Sequence, residues 1–144
     1  TSVTIGDGTY VNAGLTLIDD ASITIGKGCL FGTNVTLCTT GHPIDPEERA
    51  KCSMYSFPIT IGDGAWLGAG SIVLPGITIG KYAVIGAGSV VTRDIPDWTV
   101  AAGNPCRVLK KITDADKKKL FRDEEIDEEA WEDIVRRLPE GLSV

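Results

Sequence analysis

The sequence predicts an all-β protein folded as a parallel β-helix, a solenoid in which each coil contains three short strands. Three observations support this prediction: an aliphatic residue recurs at every sixth position, glycine often follows it, and aromatic residues make up only 6 % of the chain. The longest unbroken run of aliphatic positions is Ile61, Leu67, Val73, Ile79, Ile85 and Val91. Neither a helical period of about 3.6 residues nor the two-residue alternation of a strand explains this spacing.

The six-residue spacing covers most of residues 1–96. Earlier members are Ile5, Val11, Leu17, Ile25, Phe31 and Leu37, with an insertion of two residues after Leu17. If each six-residue unit forms one flat strand, three units close a coil and these side chains fill a triangular prism. The alternative, a β-sandwich of short strands, places turn signals about every 8 to 12 residues.

Glycine follows the aliphatic residue at Gly6, Gly26, Gly32, Gly62, Gly68, Gly80 and Gly86. We expect these glycines where the backbone turns sharply, at positive φ or in close approach to another coil. Small residues four positions after the aliphatic one suit the corners of the prism, as at Thr9, Ala65, Ser71, Ala83 and Ser89.

Composition limits the class of protein. A hydrophobic content of 42 % in 144 residues can fill one core without obligatory oligomerisation. The formal charge of -6 argues against nucleic acid or an anionic membrane as a partner. No apolar stretch approaches the roughly 18 to 20 residues of a membrane span, and no signal pattern is present, so a cytoplasmic location is expected.

The cysteines and the histidine give no pattern typical of a metal site. Cys29, Cys38, Cys52 and Cys106 form no C-x-x-C pair, and the sequence has one histidine. Reduced, partly buried thiols and no bound metal are therefore expected.

The repeat disappears in segment 39–58, which is predicted to leave the prism as a loop. Long loops within compact domains are often functional. This loop contains His42, flanked by Gly41 and Pro43. A lone histidine is usually a surface or structural residue, but at the mouth of a loop on a rigid scaffold it can accept a proton from an alcohol. His42 is therefore the candidate general base.

Two further features each allow a structural and a functional interpretation. Asp19 and Asp20 interrupt the repeat, either as a solvated turn or as carboxylates for sugar hydroxyls, assisted by Asn12 one hexapeptide earlier. Likewise Met54, with the aromatic residues after it, either anchors the loop or lines a substrate site.

Basic residues cluster late in the repeat, at Arg93, Arg107, Lys110 and Lys111. They form either a solvated rim or the cationic site that the phosphates of an anionic cofactor require in an acidic protein.

The tail after Ile112 has a helical composition, which divides the chain into domains 1–112 and 113–144. Thr113 is expected to cap a helix from Asp114 to Phe121. A second helix, Glu128 to Leu138, would have one apolar face, formed by Trp131, Ile134, Val135 and Leu138. Its expected role is to cap the open end of the solenoid, with trimer contacts as the alternative.

Four stretches carry a family resemblance: Asn12 to Asp20, Thr40 to Pro43, Met54 to Gly62, and Ala101 to Val108. They resemble the galactoside and maltose O-acetyltransferases of the hexapeptide-repeat acyltransferase family, over nearly all of residues 1–112. The resemblance implies a left-handed β-helix and a homotrimer with active sites between neighbouring prisms. It also implies acetyl-CoA as cosubstrate, a sugar acceptor, and direct transfer without an acyl-enzyme.

By position, the resemblance makes His42 the general base. It places the acceptor sugar against Tyr10, Asn12, Asp20 and Met54. Trp66 would line the reaction centre on the cofactor side. The remaining cofactor contacts would be Ala69, Ala87, Thr92, Arg93, Arg107 and Lys110. Some relatives have serine where this chain has Ala69, so a backbone N–H must stabilise the oxyanion here. The sequence starts in mid-repeat at Thr1, so from the resemblance we expect it to lack the N-terminal helical segment common in the family.

Other functions on the same fold fit less well. A γ-class carbonic anhydrase needs three zinc-bound histidines, which one histidine excludes. A structural or ice-binding solenoid favours an unbroken flat face, which the loop and the basic cluster contradict. An acetyltransferase for an amine, an antibiotic or serine shares the coil and the base, and that alternative stays open.

Overall fold

The computed structural model describes residues 2–122, 124–125 and 127–137. The chain divides into two compact units, Thr1–Lys111 and Ile112–Val144.

The first unit is a stack of three-stranded coils. The first coil consists of β1 (Val3–Ile5), β2 (Tyr10–Val11) and β3 (Thr16–Ile18), and the second of β4 (Ile23–Ile25), β5 (Leu30–Phe31) and β6 (Thr36–Cys38). An excursion follows, with β7 (Thr40–Gly41), α1 (Pro46–Ala50) and β8 (Tyr55–Ser56). The third coil is β9 (Ile59–Ile61), β10 (Trp66–Leu67) and β11 (Ile72–Val73), and the fourth is β12 (Thr78–Ile79), β13 (Val84–Ile85) and β14 (Val90–Val91). The stack ends with β15 (Thr99–Ala102) and β16 (Arg107–Lys111).

Equivalent strands of successive coils pair in parallel and form three faces. Face A contains β1, β4, β9 and β12; face B contains β2, β5, β10, β13 and β15; face C contains β3, β6, β11 and β14. β16 adds to face B in the antiparallel direction. The register repeats from coil to coil, so members of the six-residue repeat lie opposite one another. On face B, Phe31 pairs with Leu67, and Leu67 pairs with Ile85.

The predicted interior column is confirmed. Each residue of the long run from Ile61 to Val91 is at most 1 % exposed. Ile5 and Val11 of the first coil are 46 % and 36 % exposed, because the second coil packs against them from one side only.

The glycines that follow the aliphatic residue are explained by close approach, and positive φ occurs elsewhere. A Cβ added to Gly32 would lie 2.6 Å from the Ala69 nitrogen, and one added to Gly68 would lie 2.5 Å from the Ala87 nitrogen. Positive φ falls two residues later, as at Gly28 (61°) and Gly64 (66°). Of the two expected reasons for these glycines, close approach therefore applies, and positive φ belongs to a second set of positions.

The second unit differs from its prediction at one element. Asp114–Asp116 forms a single 3-10 turn, and β17 (Lys119–Phe121) pairs with β18 (Glu124–Glu125). The helix expected from Asp114 to Phe121 is wrong. Lys118 and Arg122 have φ values of 60° and 56°, which a right-handed helix does not allow.

The second predicted helix is confirmed as α2 (Glu128–Arg137). Leu138 and the side chains of Trp131 and Ile134 lie outside the described part of the structure, so the apolar face stays a prediction. The same holds for capping of the solenoid by this tail. No helix within the described ranges is long and apolar enough to span a membrane.

Candidate active site

The predicted site residues lie mainly on two of the three corners of the prism. Corner BC, between faces B and C, contains residues 12–15, 32–35, 68–71 and 86–89. Corner CA contains residues 19–22, 74–77 and 92–94, and the excursion 39–58 leaves from it. The width of face C separates these two corners.

His42 directly follows β7, which is held by antiparallel pairing with β8. Its ring is exposed, and Nδ1 lies 2.9 Å from the carbonyl oxygen of Ser53. A carbonyl oxygen only accepts hydrogen bonds, so Nδ1 carries the proton and donates it. The neutral ring then has its lone pair on Nε2, which is the tautomer required of a base that acts through Nε2.

Thr39 connects the root of the excursion to the turn that carries Asp20. This threonine is fully buried, its Oγ1 donates to the Ile18 carbonyl at 2.8 Å, and it accepts from the Ala21 N–H at 3.0 Å. Asp20 and the excursion bearing His42 therefore share corner CA. Sequence reasoning missed Thr39, although a polar residue at the last position before the repeat stops is a usable signal.

The predicted acceptor contacts are divided between the corners and face B. Asn12 lies on corner BC, where its Oδ1 accepts from the Ala13 N–H at 2.8 Å and leaves the side-chain NH₂ to donate. Tyr10 and Trp66 both point outward from face B, 59 % and 50 % exposed, in register with Leu30 between them. Met54 is half exposed on the excursion.

Corner BC offers backbone donors at the predicted cofactor positions. Ala69 and Ala87 occupy successive coils there, joined by a hydrogen bond of 2.8 Å from the Gly88 N–H to the Ala69 carbonyl. Among the residues that the structure describes, the N–H groups of Ala69 and Ala87 have no acceptor. They are therefore available to a ligand.

The equivalent amides of Lys27 and Lys81 at the third corner, AB, are occupied. Asp63 Oδ1 accepts from the Lys27 N–H at 2.9 Å, and Asp97 Oδ1 accepts from the Lys81 N–H at 2.8 Å. The first of these bonds is the main cause that lowers the pKa of Asp63. The Lys27 and Lys81 amides are thus not available to a ligand, unlike those of Ala69 and Ala87.

The predicted basic cluster is also divided between the two corners and face B. The turn 103–106 lies on corner BC, because Gly103 N–H donates to Ser89 Oγ at 3.0 Å and Cys106 N–H donates to the Val90 carbonyl at 2.9 Å. Arg107 follows this turn, and Lys110 lies opposite Val100 on face B. Thr92 and Arg93 lie instead on corner CA, across face C.

A single chain therefore does not bring the predicted site together. His42, Asp20, Met54, Thr92 and Arg93 belong to one corner, and Asn12, Ala69, Ala87 and Arg107 to the other. Among the described residues, no three His, Cys, Asp or Glu side chains converge as metal ligands.

Comparison with known proteins agrees with this architecture. Residues 58–93 match the family described as "Bacterial transferase hexapeptide (six repeats)", and residues 22–44 match "Hexapeptide repeat of succinyl-transferase". The chain is 50 % identical over 126 residues to the galactoside O-acetyltransferase of Escherichia coli (strain K12), covering 88 % of this chain and 62 % of that protein.

Two solved structures are similar over most of the chain. A galactoside acetyltransferase in complex with coenzyme A gives a TM-score of 0.78 at 41 % identity, covering 87 % of this chain and 72 % of that one. A maltose O-acetyltransferase from Clostridium difficile 630 gives a TM-score of 0.76 at 47 % identity, covering 78 % and 60 %.

A three-sided parallel β-helix with an excursion that carries a histidine defines the class of hexapeptide-repeat transferases. The chain belongs to the hexapeptide-repeat acyltransferase family, and within it to the galactoside and maltose O-acetyltransferase type. Its solenoid is accordingly a left-handed parallel β-helix. The chain spans 62 % of the E. coli relative's length.

Proposed function

We propose that the protein transfers an acetyl group from acetyl-CoA to a hydroxyl of a sugar, with His42 as general base. The observation that carries the proposal is the bond from His42 Nδ1–H to the Ser53 carbonyl, which leaves Nε2 as a proton acceptor on an exposed ring. The printed names of the relatives, galactoside and maltose O-acetyltransferases, support the reaction and the class of acceptor.

In the proposed mechanism, His42 Nε2 removes the proton from the acceptor hydroxyl as its oxygen attacks the thioester carbonyl. The N–H of Ala69 donates to the oxygen on which negative charge develops. In relatives with serine at this position, the serine hydroxyl could donate to the same oxygen. The imidazolium then returns the proton to the departing thiolate. Acetyl moves directly to the sugar, and no residue of the chain is acylated.

Substrate contacts are proposed from the same corners. Asp20, Asn12, Tyr10 and Met54 would surround the acceptor, because carboxylate and amide groups suit sugar hydroxyls. Trp66, Ala69, Ala87 and Thr92 would line the pantetheine path, and Arg93, Arg107 and Lys110 would bind the phosphates. The supporting observations are the free amides of corner BC and the exposed cations near both corners.

The division of the site between two corners supports a homotrimer in which corner CA of one subunit faces corner BC of the next. Each active site would then take its base from one chain and its cofactor amides from another. A cytoplasmic location remains part of the proposal, and the four free cysteines are consistent with a reducing compartment.

The test is a thiol-release assay with acetyl-CoA and a panel of galactosides, glucosides, maltose, amines and serine. We expect a sugar to be the best acceptor, and His42→Ala to lower kcat by about 10²- to 10⁴-fold while coenzyme A still binds. If an amine is acetylated faster than every sugar, the acceptor is an amine and the proposed sugar acceptor is wrong. If His42→Ala leaves kcat unchanged, His42 is not the general base.

A further inference from the structure

The segment from His42 to Ser53 closes on itself through an exposed hydrogen bond. His42 and Ser53 are 11 residues apart in sequence, and the bond from Nδ1 to the carbonyl lies at the surface. An exposed hydrogen bond competes with water and contributes little alone. The orientation of the ring therefore depends on how firmly the backbone at the two ends of the segment is held.

Arg49 holds the first of these ends. Its Nη1 donates to the Pro43 carbonyl at 3.1 Å and to the Ile44 carbonyl. These are the two residues directly after His42. A guanidinium donates in a fixed plane and keeps its charge, so these bonds are stronger and more directional than neutral ones.

The second end is held to helix α1 by backbone bonds, one of them from the Ser53 N–H to the Glu48 carbonyl at 3.3 Å. The Arg49 carbonyl accepts from the Cys52 N–H at 2.9 Å, in the turn that leads to Ser53. Cys52 has a φ of 60°, which reverses the chain and directs the Ser53 carbonyl towards His42. These backbone bonds do not depend on the side chain at position 49, so it is the Arg49 guanidinium that joins Pro43 and Ile44 to the helix end that holds Ser53.

Helix α1, on which Arg49 lies, is stabilised by polar contacts at its ends, including one from Ser53 Oγ to Glu48 Oε2 at 3.4 Å. It is five residues long and none of them is buried. Asp45 caps it, with Oδ1 accepting from the N–H groups of Glu47 and Glu48 at 2.9 and 3.0 Å. So short a helix is unstable without such contacts, which makes the arginine a main connection between helix and histidine.

We propose that Arg49 is a positioning residue that fixes the tautomer of His42. By joining the Pro43–Ile44 backbone to the end of α1, it keeps the Ser53 carbonyl within reach of Nδ1–H. This inference rests on the proposed role of His42 as base. Without Arg49 the carbonyl moves away, water solvates both nitrogens, and part of the population carries its proton on Nε2, where it cannot accept one.

The sequence makes this tautomer directly measurable. The chain has one histidine, so nitrogen-15 NMR of the labelled imidazole needs no assignment. In its neutral form, the ring of the wild-type protein should show the Nδ1-protonated pattern. Arg49→Ala should shift the signals towards the Nε2-protonated form and lower kcat about 10- to 100-fold, with little change in the KM for acetyl-CoA.

A matched control comes from the same helix end. Lys51 makes an exposed ion pair with Glu48 at 2.6 Å and, in the described structure, contacts neither Pro43 nor Ile44. Lys51→Ala should leave both tautomer and kcat unchanged. Arg49→Lys keeps the charge but loses the planar donor group, so it should shift the tautomer part of the way, and it serves as the test if Arg49→Ala does not fold.

An Arg49 variant that is folded by circular dichroism and keeps the Nδ1-protonated pattern would overturn the inference. So would a loss of kcat without any tautomer shift. The proposed function fails separately, through an active His42→Ala, because the NMR measurement does not depend on turnover.

Discussion

At the scale of single residues, two serines at equivalent positions of corner BC have opposite surroundings. Ser71 and Ser89 are both fully buried. The Ser89 hydroxyl donates to the Gly86 carbonyl at 2.6 Å and accepts from the Gly103 N–H at 3.0 Å. The Ser71 hydroxyl has no partner within the described structure. The six-residue pattern predicts a small residue at both sites and does not distinguish them.

This difference predicts opposite effects of removing the hydroxyl. Ser89→Ala should lower the free energy of unfolding by about 1 to 3 kcal/mol, because it leaves the Gly103 N–H without its acceptor. Ser71→Ala should be neutral or stabilising, because it removes an unsatisfied buried polar atom. Urea unfolding of the two variants measures both effects, and an equal loss of stability in each would contradict this explanation.

At the scale of elements, the turn at corner AB combines strain with aromatic stacking. Tyr82 and Trp98 have φ values of 56° and 54°, and their ring centroids lie 4.4 Å apart. Tyr82 also covers Gly64, where an added Cβ would lie 2.5 Å from its Cδ1 atom. Gly28, in the second coil, has a similar φ of 61° but no atom within 4 Å of an added Cβ.

The two glycines therefore separate backbone strain from steric contact. Gly28→Ala should lower stability by about 1 to 2 kcal/mol, through its left-handed φ alone. Gly64→Ala should lower stability by a further amount of about 1 to 3 kcal/mol, because the Tyr82 ring must leave its position. Thermal and urea unfolding give the difference. If both variants lose the same stability, the aromatic stack does not constrain the turn.

The elements also show how far a sequence pattern predicts local structure. Helix α2 is predicted from its apolar face, and it begins with acidic residues and ends with basic ones, an arrangement that a helix dipole favours. The helix expected from Asp114 was wrong, although Thr113 does cap the 3-10 turn. Eight residues make a marginal helix, and here the turn ends at Lys117, whose ψ of 141° is extended, before the left-handed Lys118.

At the scale of the whole molecule, the division of site residues between two corners predicts complementation between inactive variants. His42→Ala removes the proposed base from corner CA, and Ala87→Trp places a bulky side chain at the proposed cofactor contact on corner BC. If neighbouring subunits share each site, co-expression of the two variants should restore activity at about one site in four, since subunits mix at random. Each variant purified alone is the control. Absence of any recovery in verified mixed assemblies, or a monomer by sedimentation, would contradict a shared site.

The sequence alone determined the solenoid, its interior column and the position of the excursion with His42, because the repeat and its break are local in the chain. Tertiary structure decided which corner each residue occupies, since stacking brings together residues from different coils, such as Thr39 and Ala21. It also decided the tautomer of His42. That tautomer depends on the Ser53 carbonyl, and no side-chain pattern reveals where a backbone group points.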